Sequence, residues 1–490
     1  QMCIRDRDYT ITYIPLRTIR VKVYGQSVYL SGAMITTDTK SYTTDANGYV
    51  YIRGGEAMKG TVSALGYGSN TFDFPAITND TSHTLEVYAV VDVKFVVKGQ
   101  FGAIVTGATV TCGGKSKETN LYGECILQLT KGSYDYEVIH PDHYDAKGTV
   151  NVGTSAMSVN VKMNINPIAM KPEENGNIQM MLTGPSCSIS VNSPTADYEI
   201  DWGDGMTENP SGTGSKSYPH TYGDNGLYQV EIRNCGDVTS CMASTSCLVA
   251  YWSIGGSKVS SISFSGCSKL IYFGKDMFKN DMNRTSVSYI LSNCTSLTSV
   301  DLTPLSGLVN VTDAYRMLYD CGNLTSVDLT PLSGWVNVTN ASSLFEYCGN
   351  LTSVDLTPLS GWVNVTNTAN FLSNCTSLTS VDLTPLSGWV NVTDAYGMLY
   401  DCGNLTSVDL TPLSYWTKMT RNTILILGDS ALSFITVLST TPFPLSSGAL
   451  TNGNSCPIYV PDEAVETYKT ATNWSAYASR IKPISEKTES

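Results

Sequence analysis

The sequence predicts a mainly β, multidomain protein in which tandem β-sandwiches precede a solenoid and a closing segment. Two observations support this prediction. Residues 8–236 show short alternating runs of apolar and polar residues broken by Gly, Asn and Asp, which is typical of β-sandwiches. After them, a block reading LTSVDLTPLS returns every 27 residues, which indicates coils that bury their apolar faces against one another. The block begins at Leu297, Leu324, Leu351, Leu378 and Leu405.

The composition excludes several classes of function. The chain has 490 residues, too many for one core, and carries 30 basic and 43 acidic residues for a net charge of −13. It has no basic stripe, so we expect no nucleic-acid partner. No apolar run reaches about 18 residues, which predicts no transmembrane span. The 4 histidines lack metal-ligand spacing, and we expect neither a metal nor a cofactor.

We interpret the first residues of the chain as foreign to the natural protein. Residues 1–7, which read QMCIRDR, resemble the translation of a sequencing-library adapter. We therefore hypothesise that the natural gene is truncated here. Any signal peptide or anchor of the natural protein would then have been lost with its true N-terminus.

Residues 8–90 and 91–165 contain two related units. The sequence GAMIT from Gly32 aligns with GATVT from Gly107 at a shift of 75 residues. Both units resemble carboxypeptidase-regulatory-like or Cna-B-like Ig modules, whose pattern includes a G-A-x-V stretch followed by T-D-x-x-G-x-Y. The resemblance implies two Ig-like β-sandwiches and no particular activity.

Residues 166–236 begin with a linker and contain a third set of motifs. YEIDWGDG begins at Tyr198, HTY begins at His220, and GLYQV follows. These motifs, in this order, resemble a PKD-like domain, which implies another Ig-like sandwich. Asp201, Asp204 and His220 are then turn and packing residues of the family rather than an acid–base cluster.

Two further histidines lie close together in the sequence HPDH, from His140 to His143. Two histidines this close suggest a metal site, and they are candidate ligands for that reason. A third ligand is not apparent, however, and structural metal sites need more than two protein ligands. We therefore interpret this segment as an exposed loop.

The inward and outward side chains of each coil can be assigned from a single copy of the repeat. Side chains alternate along an extended segment, so Val300 and Leu302 point inward while Asp301 points outward. Thr303-Pro304 ends the strand, because proline cannot donate to an interior ladder. Residues 313–321 contain good helix formers with apolar residues at helical spacing, which predicts a short helix on the outer face.

The repeat resembles a known family. WVNVTD from Trp389, MLYDC from Met398 and LTSVDL from Leu405 match the BspA-like leucine-rich repeats of bacterial surface proteins. The resemblance implies a leucine-rich-repeat solenoid over residues 237–440, with a parallel β-sheet and short outer helices. Residues 441–490 resemble the closing segment of such proteins, and we expect them to form a C-terminal cap over the last coil.

The cysteines fall into two groups. One group has one cysteine per coil at a fixed position, which predicts an interior ladder of free, buried thiols. It consists of Cys267, Cys294, Cys321, Cys348, Cys375 and Cys402. Disulfide pairing among the others stays open, and the candidate pairs are Cys112/Cys125, Cys187/Cys235 and Cys241/Cys247.

An acidic side chain also returns once per coil on the outward side. This acidic row consists of Asp301, Asp328, Asp355, Asp382 and Asp409. It is our candidate binding site, since a row of carboxylates attracts cations or basic partners. The alternative is a solvated polar face that keeps the array soluble.

Two further rows accompany the acidic row. The tryptophan row is interpreted as core, because Leu308 replaces tryptophan in the first coil. It consists of Trp335, Trp362, Trp389 and Trp416. The Asn-x-Thr triplets have the form of glycosylation sites, but we interpret them as an asparagine ladder that bonds to the neighbouring backbone. They begin at Asn310, Asn337, Asn364 and Asn391.

These features predict a non-enzymatic adhesin at the bacterial surface or in the extracellular space. We expect a monomer whose solenoid contacts a host extracellular protein, a glycan or a neighbouring cell, with the sandwiches as a stalk. Two alternatives stay open: a glycan-capture accessory of a polysaccharide-utilisation system, and a phage tail adhesin. An enzyme is not expected, because no convergent acids lie off the repeat frame.

Overall fold

The chain is described here from a computed structural model. The residues it describes are 14–23, 26–195, 197–210, 212–260, 262–419, 432–445, 447–450 and 456–487. Residues 1–7, interpreted as an adapter, lie outside the described residues. The chain divides into two compact units, residues 1–169 and 170–490. The described parts are mostly β, with several sheets and few helices.

The first unit begins with a sandwich of eight strands. They are β1 (Leu16–Val23), β2 (Met34–Thr37), β3 (Ser41–Thr43), β4 (Tyr49–Arg53), β5 (Met58–Ser63), β6 (Tyr67–Gly68), β7 (Asn70–Phe74) and β8 (Thr81–Ala89). Two sheets form, in the orders β4-β1-β8-β6 and β3-β2-β5-β7. Alternate residues of both sheets, such as Ile19, Val21 and Ile35, are fully buried in one core between them.

A second sandwich follows directly. Its strands are β9 (Val91–Gly99), β10 (Thr109–Cys112), β11 (Lys115–Glu118), β12 (Glu124–Leu129), β13 (Gly132–His140), β14 (His143–Val152) and β15 (Met157–Met163). The sheet orders are β11-β10-β13-β14 and β12-β9-β15. Val93, Phe95 and Val97 are fully buried in a core separate from that of the first sandwich. The alternation in the sequence thus predicted two sandwiches correctly.

The second unit opens on a third sandwich. Its strands are β16 (Ile178–Thr183), β17 (Ser186–Ser193), β18 (Glu199–Asp201), β19 (Thr207–Glu208), β20 (Gly214–Thr221), β21 (Leu227–Arg233), β22 (Ser240–Ala243), β23 (Leu248–Ser253) and β24 (Tyr272–Phe273). The sheet orders are β19-β18-β21-β16-β23-β24 and β20-β17-β22. Because β22 and β23 follow residue 236, the expected boundary at residues 236/237 falls inside this sandwich.

The larger sheet joins this sandwich to the repeats. β23 pairs antiparallel with β16 and parallel with β24. Every residue of β16 and β23 is buried, which explains why neither strand shows the alternation of a half-exposed strand. Buried apolar residues from Ile178 to Ile481 form one cluster. The third sandwich and the repeats therefore share a core.

Successive repeats lie side by side in the segment that we call the repeat array, residues 262–419. Ala314 N–H donates to the Asn340 carbonyl at 2.9 Å, and Leu318 N–H donates to the Leu344 carbonyl at 3.1 Å. Equivalent residues of neighbouring repeats also form parallel bridges. These join Ser286, Asp313, Asn340, Asn367 and Asp394 in that order. The 27-residue period of the sequence is therefore also a period in space.

The expectation of a short outer helix over residues 313–321 is wrong. The segment consists of successive turns, one of them closed by Met317 N–H donating to the Ala314 carbonyl at 3.2 Å. Arg316 and Asp320 have φ angles of 53° and 54°, a left-handed conformation that an α-helix does not contain. The apolar residues still face inward, so their spacing fits both structures. We call this segment and its equivalents the turn ladder.

The LTSVDL segment also differs from the expected strand. Within the described repeats it is a regular strand in the last copy alone, as β25 (Ser407–Asp409). In five repeats a 3-10 helix begins at the threonine that follows, with proline in its first turn. These helices span Thr303–Leu305, Thr330–Leu332, Thr357–Gly361, Thr384–Gly388 and Thr411–Tyr415.

The chain after the array extends a parallel sheet. β25 pairs with β26 (Phe434–Thr436), which pairs with β27 (Ile458–Val460), which pairs with β28 (Ile481–Pro483). The described residues contain one α-helix, α1 (Val465–Thr470), and none that is long and apolar enough to cross a membrane. The remaining 3-10 helices are Cys235–Asp237, Asp462–Ala464, Ser475–Tyr477 and Ile484–Glu486.

Two interior ladders run through the array, as the sequence predicted. The tryptophan rings of the tryptophan row are fully buried and stack with centroid distances of 5.9, 6.2 and 6.4 Å. Each indole donates to a carbonyl 30 residues earlier, as Trp362 Nε1 does to Leu332 at 3.1 Å. The cysteine ladder is likewise buried and free, and the Cys348 thiol donates to the Leu318 carbonyl at 3.2 Å.

The shared core predicts where the chain can be cut. We expect residues 170–490 to unfold in one cooperative transition in urea, and residues 237–490 to show none. The shorter fragment loses β16, which pairs with β23, and exposes the apolar surface that β16 covers. Circular dichroism and tryptophan fluorescence against urea measure this. Residues 1–169 are the control, because their two cores are separate and they should fold alone. A cooperative transition of residues 237–490 would contradict the shared core.

Candidate functional site

The acidic row is exposed in every repeat, as the sequence predicted. All five carboxylates lie on the surface of the array. The Oδ1 atom of each accepts a hydrogen bond from the backbone N–H two residues later, at 2.8 to 2.9 Å. The donor is the threonine that begins the 3-10 helix of that repeat. Each aspartate thus caps a local turn, which is a structural role of its own.

Capping also affects the charge of the row. The hydroxyl and the backbone N–H of Thr330 bond to Asp328 and lower the pKa of that carboxyl, and Thr357 does the same to Asp355. These two carboxylates therefore stay ionised at neutral pH. Residues 291–416 hold ten acids and one base, so the array is acidic overall. Binding of a partner by this row stays a prediction.

A second surface of the array is a groove that the sequence analysis did not identify as a site. Its open volume is about 820 Å³, and two parallel rows of side chains line it. We call it the Asn/Thr groove. Its asparagines are Asn283, Asn310, Asn337, Asn364 and Asn391, and its threonines are Thr285, Thr312, Thr339, Thr366 and Thr393. Lys418 lies at the end of the asparagine row.

The asparagine ladder bonds to the neighbouring backbone, as predicted. Asn337 Nδ2 donates to the Val309 carbonyl at 3.2 Å, and Asn364 Nδ2 donates to the Val336 carbonyl at 3.0 Å. The threonine hydroxyls donate to carbonyls of the preceding repeat at 3.0 to 3.1 Å. The row pattern was visible in the sequence, but the pairing of Asn and Thr on one face required the geometry.

A third feature of the array surrounds Arg316, the one basic residue between positions 291 and 416. The guanidinium of Arg316 lies 4.4 Å from the ring centre of Tyr319 and 5.1 Å from that of Tyr315. Glu346 lies 4.0 Å from this guanidinium and is only 7% exposed. Gly397 stands at the position of Arg316 three repeats later. This difference between otherwise matching repeats was the signal in the sequence for the cluster around Arg316, and the cluster was not predicted.

The third sandwich brings together the residues weighed as an acid–base cluster. His220 Nε2 lies 2.8 Å from Asp204, and its ring stacks on Trp202 at 4.4 Å. Asp201 and Asp204 each accept a backbone N–H two residues later at 3.0 Å, and Asp201 also pairs with Arg233. All three residues thus make turn or packing contacts, and the absence of an acid–base role stays a prediction.

The HPDH segment is a tight turn with Pro141 exposed, but the expectation of an exposed loop is wrong for His143, which is buried. The segment lies at the turn between β13 and β14, and His143 is only 8% exposed. Burial lowers the pKa of His143 to about 4, with a further contribution from the neighbouring His140, 3.2 Å away between Nδ1 atoms. No group of three or more potential metal ligands occurs among the described residues.

The six cysteines of the candidate disulfide pairs are buried free thiols in this structure. Cys187 lies near Cys247, a combination that the sequence did not suggest. Burial raises the pKa of Cys187, with a further contribution from the Cys247 thiol, and raises that of Cys241 to about 12, so these thiols are protonated at neutral pH. None of the three candidate pairs is bonded.

Comparisons with known proteins give only distant likenesses. No protein-family model matches the chain, and no curated protein matches it significantly. Among solved structures, the minor pilin GBS52 of Streptococcus agalactiae is 12% identical, covering 32% of this chain and 98% of the pilin, with a TM-score of 0.25. The shaft pilin SpaA of Lactobacillus rhamnosus GG is 9% identical, covering 31% and 97%, with a TM-score of 0.17. Scores of this size assign neither a fold nor an activity to this chain.

The capping role of the acidic row can be tested on one repeat. Asp355→Asn keeps an Oδ1 acceptor for the Thr357 N–H, so we expect urea stability close to that of the unchanged protein. Asp355→Ala leaves this N–H without its acceptor and should lower the urea midpoint. Unfolding of residues 170–490 measures both. Equal midpoints for the two variants would show that the aspartate is a solvated charge and nothing more.

The buried histidine predicts a pH dependence of the first unit. The pKa of His143 is about 4 when folded and near 6.5 when unfolded, so the unfolded chain binds the proton more tightly. Stability should therefore fall as the pH drops from about 6.5 towards 4. Thermal unfolding of residues 1–169 across this range measures the effect. His143→Gln cannot titrate and should flatten the profile, and an unchanged slope in that variant would exclude His143 as the cause.

Proposed function

We propose that this chain is a non-enzymatic adhesin, secreted or attached to the bacterial surface, with the repeat array as its contact surface. In this proposal the array is a BspA-like leucine-rich-repeat module, and the sandwiches before it are Cna-B-like and PKD-like Ig modules. The observation that carries the proposal is the alignment of equivalent exposed side chains in successive repeats. Such rows favour many weak contacts along one face over a single pocket.

The chemistry of the array supports a binding role. Its repeated acids cap local turns, and its repeated cysteines are buried and protonated, so neither set is poised as nucleophile or base. In the third sandwich, Asp204 and His220 contact each other, and His220 stacks on Trp202. What the array leaves exposed is a long polar surface whose contacts with a partner would add up along the repeats.

Fragment binding tests this proposal. Residues 170–490 and residues 1–169 are each a compact unit, so each can be labelled and applied to arrays of extracellular-matrix proteins and glycans. We expect residues 170–490 to retain the binding of the full chain and residues 1–169 to lose it. Binding confined to residues 1–169 would place the contact surface in the first two sandwiches and overturn the proposal.

A further inference from the structure

We infer that the Asn/Thr groove binds an extended, uncharged polysaccharide whose chain runs along the array, across successive repeats. This inference rests on the proposed function, and it names the ligand class and the surface that the proposal leaves open. It depends on three properties of the groove: the hydrogen-bonding capacity that it exposes, its lack of charge, and its spatial period.

The groove offers acceptors and almost no donors. The amide nitrogens of Asn337 and Asn364 already donate to valine carbonyls of the preceding repeat, and the hydroxyls of Thr339 and Thr366 already donate to threonine carbonyls. The Oδ1 atoms of Asn337 and Asn364 accept no hydrogen bond from any residue in the described part of the chain. A ligand for this surface must therefore supply donors, as sugar hydroxyl groups do.

The groove is uncharged along almost its whole length. Lys418 is its one charged lining residue, and its Nζ is bound to Asn391 Oδ1 at 2.6 Å, which closes that end. The acidic row does not line the groove. An anionic polymer would be repelled by the surrounding acidic array, and a basic peptide would find its complementary charges on the acidic row instead. A neutral donor-rich chain is the ligand that matches.

The groove repeats the same pair of acceptors at each step of the array. Bridged neighbouring repeats lie about 4.8 Å apart, so the asparagines from Asn283 to Asn391 span about 19 Å. A linear polysaccharide also repeats one chemical unit along an extended line. Such a chain can place hydroxyls of successive sugars against the acceptors of successive repeats, whereas a small ligand could contact the acceptors of one or two repeats only.

An apolar row accompanies the acceptors. The valine before each of the four groove asparagines from Asn310 to Asn391 is between 44% and 50% exposed. These residues are Val309, Val336, Val363 and Val390. The C–H faces of sugar rings are apolar, so a glycan can bury valine surface while its hydroxyls bond to the amides. A neighbouring row of this kind fits a carbohydrate better than it fits a strongly hydrated ion.

Isothermal titration calorimetry on residues 170–490 tests the inference. The probes are cello-, xylo- and manno-oligosaccharides of increasing length, with an oligogalacturonate as the anionic probe and oligolysine as the basic one. We expect at least one neutral series to bind, with an affinity that rises with chain length and levels off once the chain spans the groove. Binding of the charged probes alone would overturn the inference, as would an affinity independent of length.

A matched pair of triple variants locates the binding. Thr312→Val, Thr339→Val and Thr366→Val together remove three groove hydroxyls while keeping the β-branched shape, and we expect about tenfold weaker glycan binding or more. In the control, Thr325→Val, Thr379→Val and Thr406→Val remove three exposed hydroxyls that make the same bond to the preceding repeat but do not line the groove. The control should bind as the unchanged protein does.

The outcomes separate this inference from the proposed function. Equal loss of affinity in both triple variants, or in neither, would overturn the groove as the site. If residues 170–490 bind matrix proteins but no neutral glycan, the inference fails while the adhesin proposal stands. If they bind no partner of either kind while residues 1–169 do, both fail.

Discussion

The hydrogen bonding of the turn ladder is the constraint on which the array depends. Alternate peptide groups of this segment donate to the next repeat, as Ala314 does to Asn340, and the peptide groups between them close turns within the repeat, as Met317 does with Ala314. Both sets of bonds use the same short segment, so inserting one residue would break them together. The period is therefore held at 27 residues. Every row on the surface and every ladder in the core follows from that fixed step.

Inside the array, the same step explains the choice of core residues. Trp389 Nε1 donates to the Leu359 carbonyl and the Cys375 thiol to the Phe345 carbonyl, in both cases 30 residues earlier. Each of these carbonyls also accepts a backbone N–H three residues later, Leu359 from Trp362 and Phe345 from Cys348, so the indole and the thiol use the second lone pair of the oxygen. Tryptophan and cysteine thus fill the volume, and the preceding repeat supplies an acceptor for the indole N–H and the thiol. Their recurrence is thus a packing and hydrogen-bonding requirement, with no need for a ligand.

Much of this organisation could be predicted from the sequence, because alternation and period report burial directly. The inward positions, the buried thiols and tryptophans and the outward aspartates depend only on which side chains are apolar and how often they return. The outer helix could not be separated from the turn ladder, since apolar residues at 314, 317, 318 and 321 face inward in both. The left-handed positions distinguish them, and asparagine or aspartate occupies the second one in four of five repeats.

The other differences have a related physical cause. The end of the third sandwich was misplaced because β23, covered on both faces, lacks the alternation that marks a half-exposed strand. His143 was assigned to an exposed loop because no third metal ligand is apparent in the sequence, although its side chain is buried in the structure. In both cases a neighbouring element supplies the burial. A pattern along one segment contains no information about what packs against it.

The acidic row and the Asn/Thr groove differ in the free energy needed to remove water when a partner covers them. A partner that covers the acidic row must remove water from charged carboxylates, which is expensive unless an opposite charge replaces it. Covering the Asn/Thr groove removes water only from neutral amide and hydroxyl oxygens, and a hydroxyl-bearing ligand restores the lost hydrogen bonds one for one. The acidic row already has a function in closing the turn that leads into each 3-10 helix, so its recurrence requires no partner. In the middle of the groove, Asn337 and Asn364 bond to the backbone through their donors and leave their acceptors exposed. Of the two faces, the uncharged one therefore has the lower barrier to desolvation and the greater unused capacity for hydrogen bonds.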